Sequence, residues 1–401
     1  CQRRLSQRCS ATNPEIEQTS SMKSPDAIVI GAGIVGASCA LSLTNAGLSV
    51  LVIDRGSVSS GTTGAGEGNI LVSDKDPGPE LTLALRSRDL WFEMQEDVGD
   101  YFELEAKGGV VVARHDDSAL MKLASHQREH GVDAQVVGQA ELHNLEPYLH
   151  PEFHSGVFYP QDAQCQPMLA AAHVIRTVIS RGGQFISQAK VTEVLVKDSE
   201  VYGIQTSKGK FLAPIVINAT GTWAGEIARM AGSDLPIAPR RGFILVTEPA
   251  PQYIFHKVYD SDYVVNVASS DADLQTSTVV EGTRSGTILI GASRERVGFD
   301  GSKNIEILRK LAAQATSLFP VLRDVQLLRA YHGFRPYAPD HLPVVGEDAQ
   351  VKGLWHSAGH EGAGIGLAPG SAALITDEIL GRPSFMDASA FSPARFAMAK
   401  V

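Results

Sequence analysis

A glycine-rich turn between a buried strand and a helix is the feature that most limits how this chain can fold. Gly31, Gly33 and Gly36 follow the apolar run 27–30 and open a segment of helical composition. The first glycine permits a tight turn, the second lets the backbone approach a pyrophosphate, and the third lets the helix pack against the strand. Asp54 closes the next apolar run, where an acid can bind the ribose hydroxyls of an adenosine. The pattern predicts a βαβ unit that binds a dinucleotide at the helix N-terminus.

Three other segments rich in small residues bear on which dinucleotide is bound. The stretch 59–69 follows the second strand directly and is small, polar and flexible enough to wrap phosphate and ribityl groups. A plain NAD-linked dehydrogenase has no need of such a segment there. Backbone groups at 219–221 could approach the nucleotide, and those of 359–369 could stabilise negative charge on a reduced flavin. These segments favour FAD, with an NAD-linked enzyme as the weaker alternative.

The order of the remaining elements indicates a mixed α/β chain. Helical patterns alternate with short apolar runs, and the strands predicted at 243–247, 263–267 and 287–292 are expected to pair antiparallel. We therefore predict a Rossmann-like FAD-binding domain with a parallel sheet, plus a substrate domain built on an antiparallel sheet. The FAD-binding domain is assigned to 22–75, 150–232 and 325–387, the substrate domain to 76–149 and 233–324, and two tails to 1–21 and 388–401.

Charge and cysteine content argue against several partners and sites. The net charge is −10, and basic residues cluster only near the N-terminus, which disfavours nucleic acids and anionic membranes. No apolar run approaches the roughly 20 residues of a transmembrane helix. The four cysteines form no CxxC pair, which disfavours a metal site and fits a reducing compartment. We predict a cytoplasmic protein with a disordered extension ahead of Met22; a transit segment is the weaker alternative.

Arg335 is the candidate anchor for a substrate carboxylate. It lies in the segment Tyr-His-Gly-Phe-Arg-Pro, and a guanidinium can hold a carboxylate through two hydrogen bonds. The alternative is a structural arginine in a salt bridge. Tyr331, His332 and Tyr263 are candidates for pocket walls or substrate hydrogen bonds, although aromatic residues near an arginine are more often part of the core.

The sequence contains two pairs of neighbouring charged or titratable residues, and each pair has more than one possible role. Arg240 and Arg241 lie between a proline and a glycine, which predicts a loop leading into the sheet, either as a solvated turn or as a substrate gate. His360 and Glu361 are neighbours in a glycine loop, so backbone contact with a flavin is favoured over a metal site there. We predict no metal.

Four stretches carry a resemblance to a known family. They are SSGTTGAGEGNI, PRRGFILVTE, GFRPYAPDHLPVVG and GHEGAGIGLAPG. Over about residues 27–385 the chain resembles the D-amino acid oxidase-like flavoenzymes, which include glycine oxidase, sarcosine oxidase and D-amino acid dehydrogenase. It is most similar to the FAD subunits of opine oxidases, D-hydroxyproline dehydrogenase and hydrogen cyanide synthase. The resemblance implies two domains, with FAD extended across the nucleotide domain and its isoalloxazine facing a cavity under an antiparallel sheet.

The resemblance also implies roles for individual residues. Arg335 matches the arginine that binds the substrate carboxylate. No cysteine follows Cys165, so the cysteine-linked flavin of monomeric sarcosine oxidases is not expected, and we predict non-covalent FAD. The positions that match FAD-contacting motifs, or lie beside them, are Gly31, Ala32, Gly33, Ile34, Val35, Gly36, Asp54, Arg55, Thr62, Thr63, Gly66, Gly68, Asn69, Ile70, Val191, Thr220, Gly221, Trp223, Gly333, Gly362, Ala363, Gly364, Ile365, Gly366 and Leu367.

The implied activity is oxidation of the C–N bond of a small amino or imino acid, of the glycine, sarcosine, D-amino acid, D-hydroxyproline or opine type. A hydride passes from the carbon beside the nitrogen to flavin N5, and the electrons pass on to a partner subunit or a quinone. We assign no catalytic side chain, because the cofactor carries the chemistry. The alternatives are an oxidase that uses oxygen directly and a non-catalytic flavin-binding subunit of a larger complex.

Overall fold

The computed structural model describes residues 24–114, 116–261 and 273–397. The strands in chain order are β1 Ala27–Ile30, β2 Val50–Ile53, β3 Asn69–Ile70, β4 Gly109–Val112, β5 Gln135–Gly138, β6 Ser155–Tyr159, β7 Ala163–Gln164, β8 Gln184–Ile186, β9 Val191–Lys197, β10 Glu200–Thr206, β11 Gly209–Leu212, β12 Ile215–Asn218, β13 Ala238–Thr247, β14 Lys257–Asp260, β15 Gln275–Gly282, β16 Ile288–Arg294, β17 Leu327–Tyr337, β18 Val344–Glu347 and β19 Leu354–Ala358. The helices are α1 Ile34–Asn45, α2 Pro79–Val98, α3 Ser118–Arg128, α4 Gln139–Leu145, α5 Pro167–Ser180, α6 Ala224–Met230, α7 Ile305–Leu318, α8 Gly364–Ile379 and α9 Ala394–Ala397. In this part of the chain, every helix is too short or too polar to cross a bilayer.

A six-stranded sheet carries the βαβ unit, in the order β18-β19-β12-β1-β2-β8. Its pairs are parallel except for β18, which runs antiparallel to β19. Every residue of β1 and β2 is buried, as unbroken apolar runs require when both faces of a parallel sheet are covered. Helices α1 and α8 pack against each other and share the main core. The predicted Rossmann-like parallel sheet is confirmed.

An eight-stranded sheet forms the second layer, in the order β17-β13-β16-β15-β14-β4-β6-β5. Its paired neighbours are antiparallel, except that β14 and β4 run parallel. Helix α7 covers this sheet with Ile307, Leu311, Ala315 and Leu318, whose spacing places them on one helix face. The side chain of Asn304 accepts hydrogen bonds from the first turn and so caps this helix. The predicted antiparallel sheet is confirmed.

Two strands belong to a different sheet from the one that the predicted domain boundaries imply. Strands β6 and β17 lie in segments assigned to the FAD-binding domain, yet both pair within the eight-stranded sheet. An apolar or alternating run indicates a strand but does not indicate its partner, because pairing joins residues far apart in the chain. The division into domains otherwise stays a prediction. The assigned tail 388–401 also contributes Phe391, which is fully buried in the main core.

The two arginines predicted to lie in a loop belong to a buried strand. Arg240 and Arg241 are part of β13 and are almost fully buried. Arg240 forms an ion pair with Glu361, and Arg241 Nε lies 2.9 Å from Glu295 Oε1. The loop prediction was wrong because these carboxylates, distant in sequence, offset the cost of burying both charges. Helix α8 begins at Gly364 and continues through Pro369.

A buried hydrogen bond between Asp348 and His356 joins the end of β18 to β19 and gives folding a dependence on acid pH. Asp348 Oδ2 lies 2.8 Å from His356 Nε2 and accepts a hydrogen bond from Ser233. Burial raises the pKa of Asp348, but the hydrogen bonds from His356, Ser233 and Gln350 outweigh it and lower the pKa from 3.8 to about 2.

Because the folded pKa of Asp348 lies below its unfolded value, the pair stabilises the protein above about pH 4 and loses that effect as pH falls towards 2. We expect the free energy of unfolding to fall by about 2 kcal/mol across this interval through Asp348 alone. Urea denaturation at a series of pH values measures it. The Asp348→Asn variant should lack this component, and an unchanged slope in that variant would contradict the assignment.

Candidate active site

One large cavity lies between the two sheets, and segments far apart in the chain line it. It encloses about 1610 Å³ of space, part of it open to solvent. Its walls include the residues that directly follow β1, β2 and β12, the segment 60–69, parts of β13 and β17, and the loop 360–365. The lining extends from the turn after β1 to the loop 360–365, and this elongated course suits an extended dinucleotide.

The βαβ turn has the close packing that its glycines predicted. A Cβ at Gly36 would overlap the carbonyl oxygen of Gly31, and one at Gly31 would lie 2.9 Å from the carbonyl carbon of Ala219. Helix α1 has no side-chain cap at Gly33, and the amide of Ile34 donates to Thr63 Oγ1 at 3.0 Å. The positive end of this helix lines the cavity, which suits an anionic group such as a pyrophosphate.

The carboxylate of Asp54 lies at the end of the cavity that is predicted to bind the adenosine. Its Oδ2 accepts a hydrogen bond from the amide of Ala32 at 2.7 Å, and its Oδ1 accepts one from Gly56 at 2.7 Å. Val191, at the start of β9, lines the same region. The guanidinium of Arg55 lies 3.8 Å from the centroid of the Trp223 ring, so these two side chains form one wall together. A carboxylate held by backbone amides is a suitable acceptor for ribose hydroxyls.

Glycines on the eight-stranded sheet bring the segment 62–69 against its surface. A Cβ at Gly333 would lie 2.7 Å from Ala65 Cβ, and one at Gly291 would lie 3.3 Å from Glu67 Cδ. The hydroxyl of Thr62 donates to the carbonyl of Phe334 at 2.8 Å, which fixes the segment to β17. The sheet and this segment therefore form one continuous wall of the cavity.

Arg335 lies in this cavity, as predicted for the substrate anchor. It is paired in register with Arg240 across β17 and β13, and its Nη1 donates to the carbonyl of Ser293 at 2.8 Å. Its Nε lies 3.7 Å from the position that a Cβ would take on Gly362. The sheet thus holds the guanidinium beside the glycine loop, in the cavity that the βαβ turn also lines. Binding of a carboxylate there stays a prediction.

Tyr331 and His332, two of the other predicted substrate residues, are not part of the lining of this cavity. The hydroxyl of Tyr331 donates to the carbonyl of Gly66 at 3.3 Å, so it supports the segment behind the wall. His332 points to the other face of β17, where its ring packs against Phe243 and Phe334. Side chains alternate across a strand, so His332, three positions before Arg335, lies on the opposite face of β17. Tyr263 lies outside the described residues.

The predicted cofactor residues fall into two groups. Those lining the cavity are Gly31, Gly33, Ile34, Val35, Asp54, Arg55, Thr62, Thr63, Gly66, Asn69, Val191, Thr220, Gly221, Trp223, Gly333, Gly362, Gly364 and Ile365. Those behind the lining are Ala32, Gly36, Gly68, Ile70, Ala363, Gly366 and Leu367. Several of the second group support the first: a Cβ at Gly68 would lie 2.9 Å from the carbonyl carbon of Cys165, and one at Gly366 would lie 3.3 Å from Ile70 Cα. Direct contact with a cofactor stays a prediction for all of them.

Glu361 is a functional candidate for which the sequence predicted only backbone contact with a flavin. Its side chain is nearly buried, its backbone has φ 48°, and its carboxylate pairs with Arg240 and with His341. A non-glycine residue in this left-handed region stores strain, and such residues cluster at functional sites. The sequence signal for Glu361 was a charged residue within a glycine loop. The partners of its carboxylate come from β13 and from the segment before β18, so the sequence did not reveal them.

A second cavity of about 960 Å³ shares a wall with the first. His360, Glu361 and Gly362 line both, and Lys75, Glu80, Arg294 and His341 line the second alone. His360 Nε2 lies 2.9 Å from Ser371 Oγ, and burial lowers the pKa of His360 to about 4, so this ring is neutral at neutral pH. Across the described ranges, no cluster of three or more His, Cys, Asp or Glu side chains could hold a metal ion.

Comparison with known proteins places this architecture in a family. The sequence matches the family described as FAD dependent oxidoreductase (DAO) over residues 26–378. The chain belongs to this family. The DAO-family chain is 28% identical to a glycine oxidase of Pseudomonas aeruginosa over 378 residues, 92% of this chain and 98% of that protein. It is 27% identical over 418 residues to the hydrogen cyanide synthase subunit HcnC of the same species, at 92% and 96% coverage.

The fold of this DAO-family chain is shared with solved structures. The crystal structure of L-proline dehydrogenase from P. horikoshii superposes with a TM-score of 0.86, at 24% identity, covering 94% of this chain and 99% of the other. The predictions of family, fold class and FAD as cofactor are confirmed, and the protein is an FAD-dependent oxidoreductase. That cofactor fits the α1 N-terminus, the glycine turn and Asp54.

Proposed function

We propose that this oxidoreductase removes a hydride from the carbon beside the nitrogen of a small amino or imino acid that carries a free carboxylate. One observation supports this most: Arg335 lines the same cavity as the turn Gly31–Gly36 and Asp54. A fixed cation beside a dinucleotide site gives an acidic substrate a defined orientation. The names of the relatives, glycine oxidase among them, agree with an amino acid substrate.

The residues of this chain supply binding, orientation and exclusion of water. The α1 N-terminus would hold the pyrophosphate of FAD, Asp54 the ribose, and the segments 62–69 and 362–365 the ring. Bound FAD supplies the hydride acceptor, flavin N5. Arg335 fixes the substrate carboxylate, while Ile244 and Ile365 give the cavity apolar walls. We propose that FAD is bound non-covalently, since both cysteines in the described part of the chain, Cys39 and Cys165, are buried and absent from the lining.

The substrate class is tested by anaerobic reduction of the flavin in the purified holoenzyme. The panel is glycine, sarcosine, D-alanine, D-hydroxyproline and an opine, each at saturating concentration. We expect rapid bleaching of the flavin by one class, and no reduction by the corresponding acid that lacks the nitrogen. If none of the five reduces the flavin while dithionite does, the proposed activity fails, and a non-catalytic flavin-binding subunit takes its place.

We propose that the electrons pass to a partner subunit or a quinone rather than directly to oxygen. The likeness to HcnC, which is named as a subunit, supports this choice. An oxygen electrode tests it with the isolated chain and the amino acid found above. We expect turnover with a quinone analogue to exceed turnover with oxygen by at least about tenfold. Rapid peroxide formation by the chain alone would identify an oxidase instead. The buried free thiols Cys39 and Cys165 support a cytoplasmic location, which is also a proposal.

A further inference from the structure

A buried carboxylate oxygen in the wall of the large cavity has no partner in the described part of the chain. Glu67 lines this cavity and is 6% exposed. Its Oε2 accepts a hydrogen bond from Asn69 Nδ2 at 3.1 Å, whereas its Oε1, also buried, accepts none from the described residues. A buried acceptor without a donor costs free energy, because it has lost the water that would otherwise bind it. The free oxygen therefore indicates that a bound molecule supplies the donor.

The other side of the Glu67 carboxylate is held by a buried lysine. Lys257 is 1% exposed, and its Nζ lies 3.7 Å from Glu67 Oε2 and 2.7 Å from Glu281 Oε2. The neighbouring Lys107 lies 3.9 Å from Glu105 instead. The carboxylates of Glu67 and Glu281 thus share the ammonium of Lys257. A second cation placed at Glu67 Oε1 would balance the charge of this buried cluster.

Glu67 lies at a distance from Arg335 that suits a small zwitterion. The Arg335 guanidinium lies over Gly242 of β13, since a Cβ there would be 2.8 Å from its Cζ. The Glu67 carboxylate lies over Gly291 of β16, and a Cβ at Gly291 would also be 3.1 Å from Ile244 Cδ1. Gly242 and Ile244 are two positions apart on β13. Two positions along a strand span about 7 Å and neighbouring strands are about 5 Å apart, so roughly 8 Å separates the two charged groups.

An α-amino acid matches this separation with one charge at each end. Its nitrogen lies about 2.5 Å from its carboxylate carbon. A hydrogen bond of about 2.9 Å at each end lets the molecule bridge roughly 8 Å. An acid without the nitrogen can bind the arginine, but it leaves the Glu67 oxygen buried against carbon, which is unfavourable. The cavity therefore presents one group for each charge of a zwitterion.

We propose that Glu67 Oε1 accepts a hydrogen bond from the ammonium group of the substrate while Arg335 binds its carboxylate. This inference rests on the proposed function and narrows its substrate class to amino or imino acids that keep at least one N–H. Holding both ends fixes the position of the carbon between them, which is the carbon that loses the hydride. Glu67 thus selects zwitterions and orients them.

The test compares each amino acid of the panel with an acid of the same shape in which carbon replaces the nitrogen. The pairs include glycine with propionate, sarcosine with butyrate and D-alanine with isobutyrate. In the anaerobic holoenzyme, the concentration dependence of flavin reduction gives the dissociation constant of the amino acid. Calorimetric titration of the oxidised holoenzyme gives that of the paired acid.

Two glutamate variants are compared in this test. Glu67→Gln keeps the shape of the side chain, and Lys257 keeps its pair with Glu281. Glu105→Gln is the matched control, because Glu105 also pairs with a lysine, Lys107, but is not part of the cavity lining. The FAD-to-protein ratio of each variant shows whether the cofactor site is intact.

We expect Glu67→Gln to raise the dissociation constant of the amino acid by about 10–100-fold, because a hydrogen bond between charged partners is lost. The constant of the paired acid should be unchanged or smaller, since its carbon no longer lies beside a carboxylate. Arg335→Ala should weaken binding of both members of the pair, and Glu105→Gln should weaken neither. These results together would assign one end of the substrate to each residue.

Three outcomes would overturn the role of Glu67. Equal changes for both members of the pair in Glu67→Gln would show that Glu67 only supports the wall, while Arg335 keeps its own role. If Glu67→Gln loses its flavin, the wild type decides: it must bind the amino acid at least about tenfold more tightly than the paired acid, and a ratio near one excludes an ammonium site. If no amino acid reduces the wild-type flavin, the proposed function fails, and this inference fails with it.

Discussion

Replacing Arg335 with alanine is expected to raise the KM for the amino acid by about 10²–10³-fold while FAD stays bound. The guanidinium can offer two parallel hydrogen bonds to a carboxylate, and removing one partner of such a pair costs about 2–5 kcal/mol. Each 1.4 kcal/mol corresponds to about a tenfold change in binding. Steady-state kinetics and the visible flavin spectrum measure the two effects separately.

Two further variants show whether Arg335 acts on the substrate or only on the fold. Arg335→Lys keeps the charge but loses the planar fork, so we expect about half of the free-energy loss to remain. Arg329→Ala removes an exposed guanidinium from the same strand and should leave KM unchanged. Because Arg335 Nη1 also donates to the Ser293 carbonyl, thermal unfolding must be followed in parallel. An unchanged KM in Arg335→Ala would show that the arginine is structural.

Replacing Gly36 with alanine is expected to yield a colourless protein that is less stable by about 3 kcal/mol. The new Cβ would overlap the carbonyl oxygen of Gly31 and lie 3.0 Å from its carbon. These are backbone atoms of the turn, so no flexible side chain can move aside. Helix α1 must then shift away from β1, and its N-terminus leaves the position in which it can bind a pyrophosphate.

The matched control is another glycine that has room for a methyl group. A Cβ at Gly138 meets nothing within 4 Å, and its backbone has φ −83°. Gly138→Ala should therefore keep its flavin and its stability to within about 0.5 kcal/mol. The measurements are the FAD-to-protein ratio after purification and the urea unfolding curve. A yellow Gly36→Ala protein with wild-type stability would remove the basis for the assigned turn.

Local patterns in the sequence were enough to predict the elements nearest to the cofactor. The first βαβ unit has its strands and turn where the glycine pattern indicated. These features depend on contacts within one turn or one strand, such as the packing of Gly36 on Gly31. The family resemblance, carried by four short motifs, added the cofactor and the candidate role of Arg335.

The sequence by itself determined the βαβ unit and its acid at Asp54, because residue type and spacing along a few turns specify them. The role of Arg335 as an anchor came from the family resemblance and stays a prediction. The tertiary structure alone decided that Arg240 is buried in a strand, that His332 faces away from the cavity, and that His341 meets Glu361. These outcomes depend on strand pairing and on charged partners brought together from distant parts of the chain. Periodicity within a single segment contains no information about them.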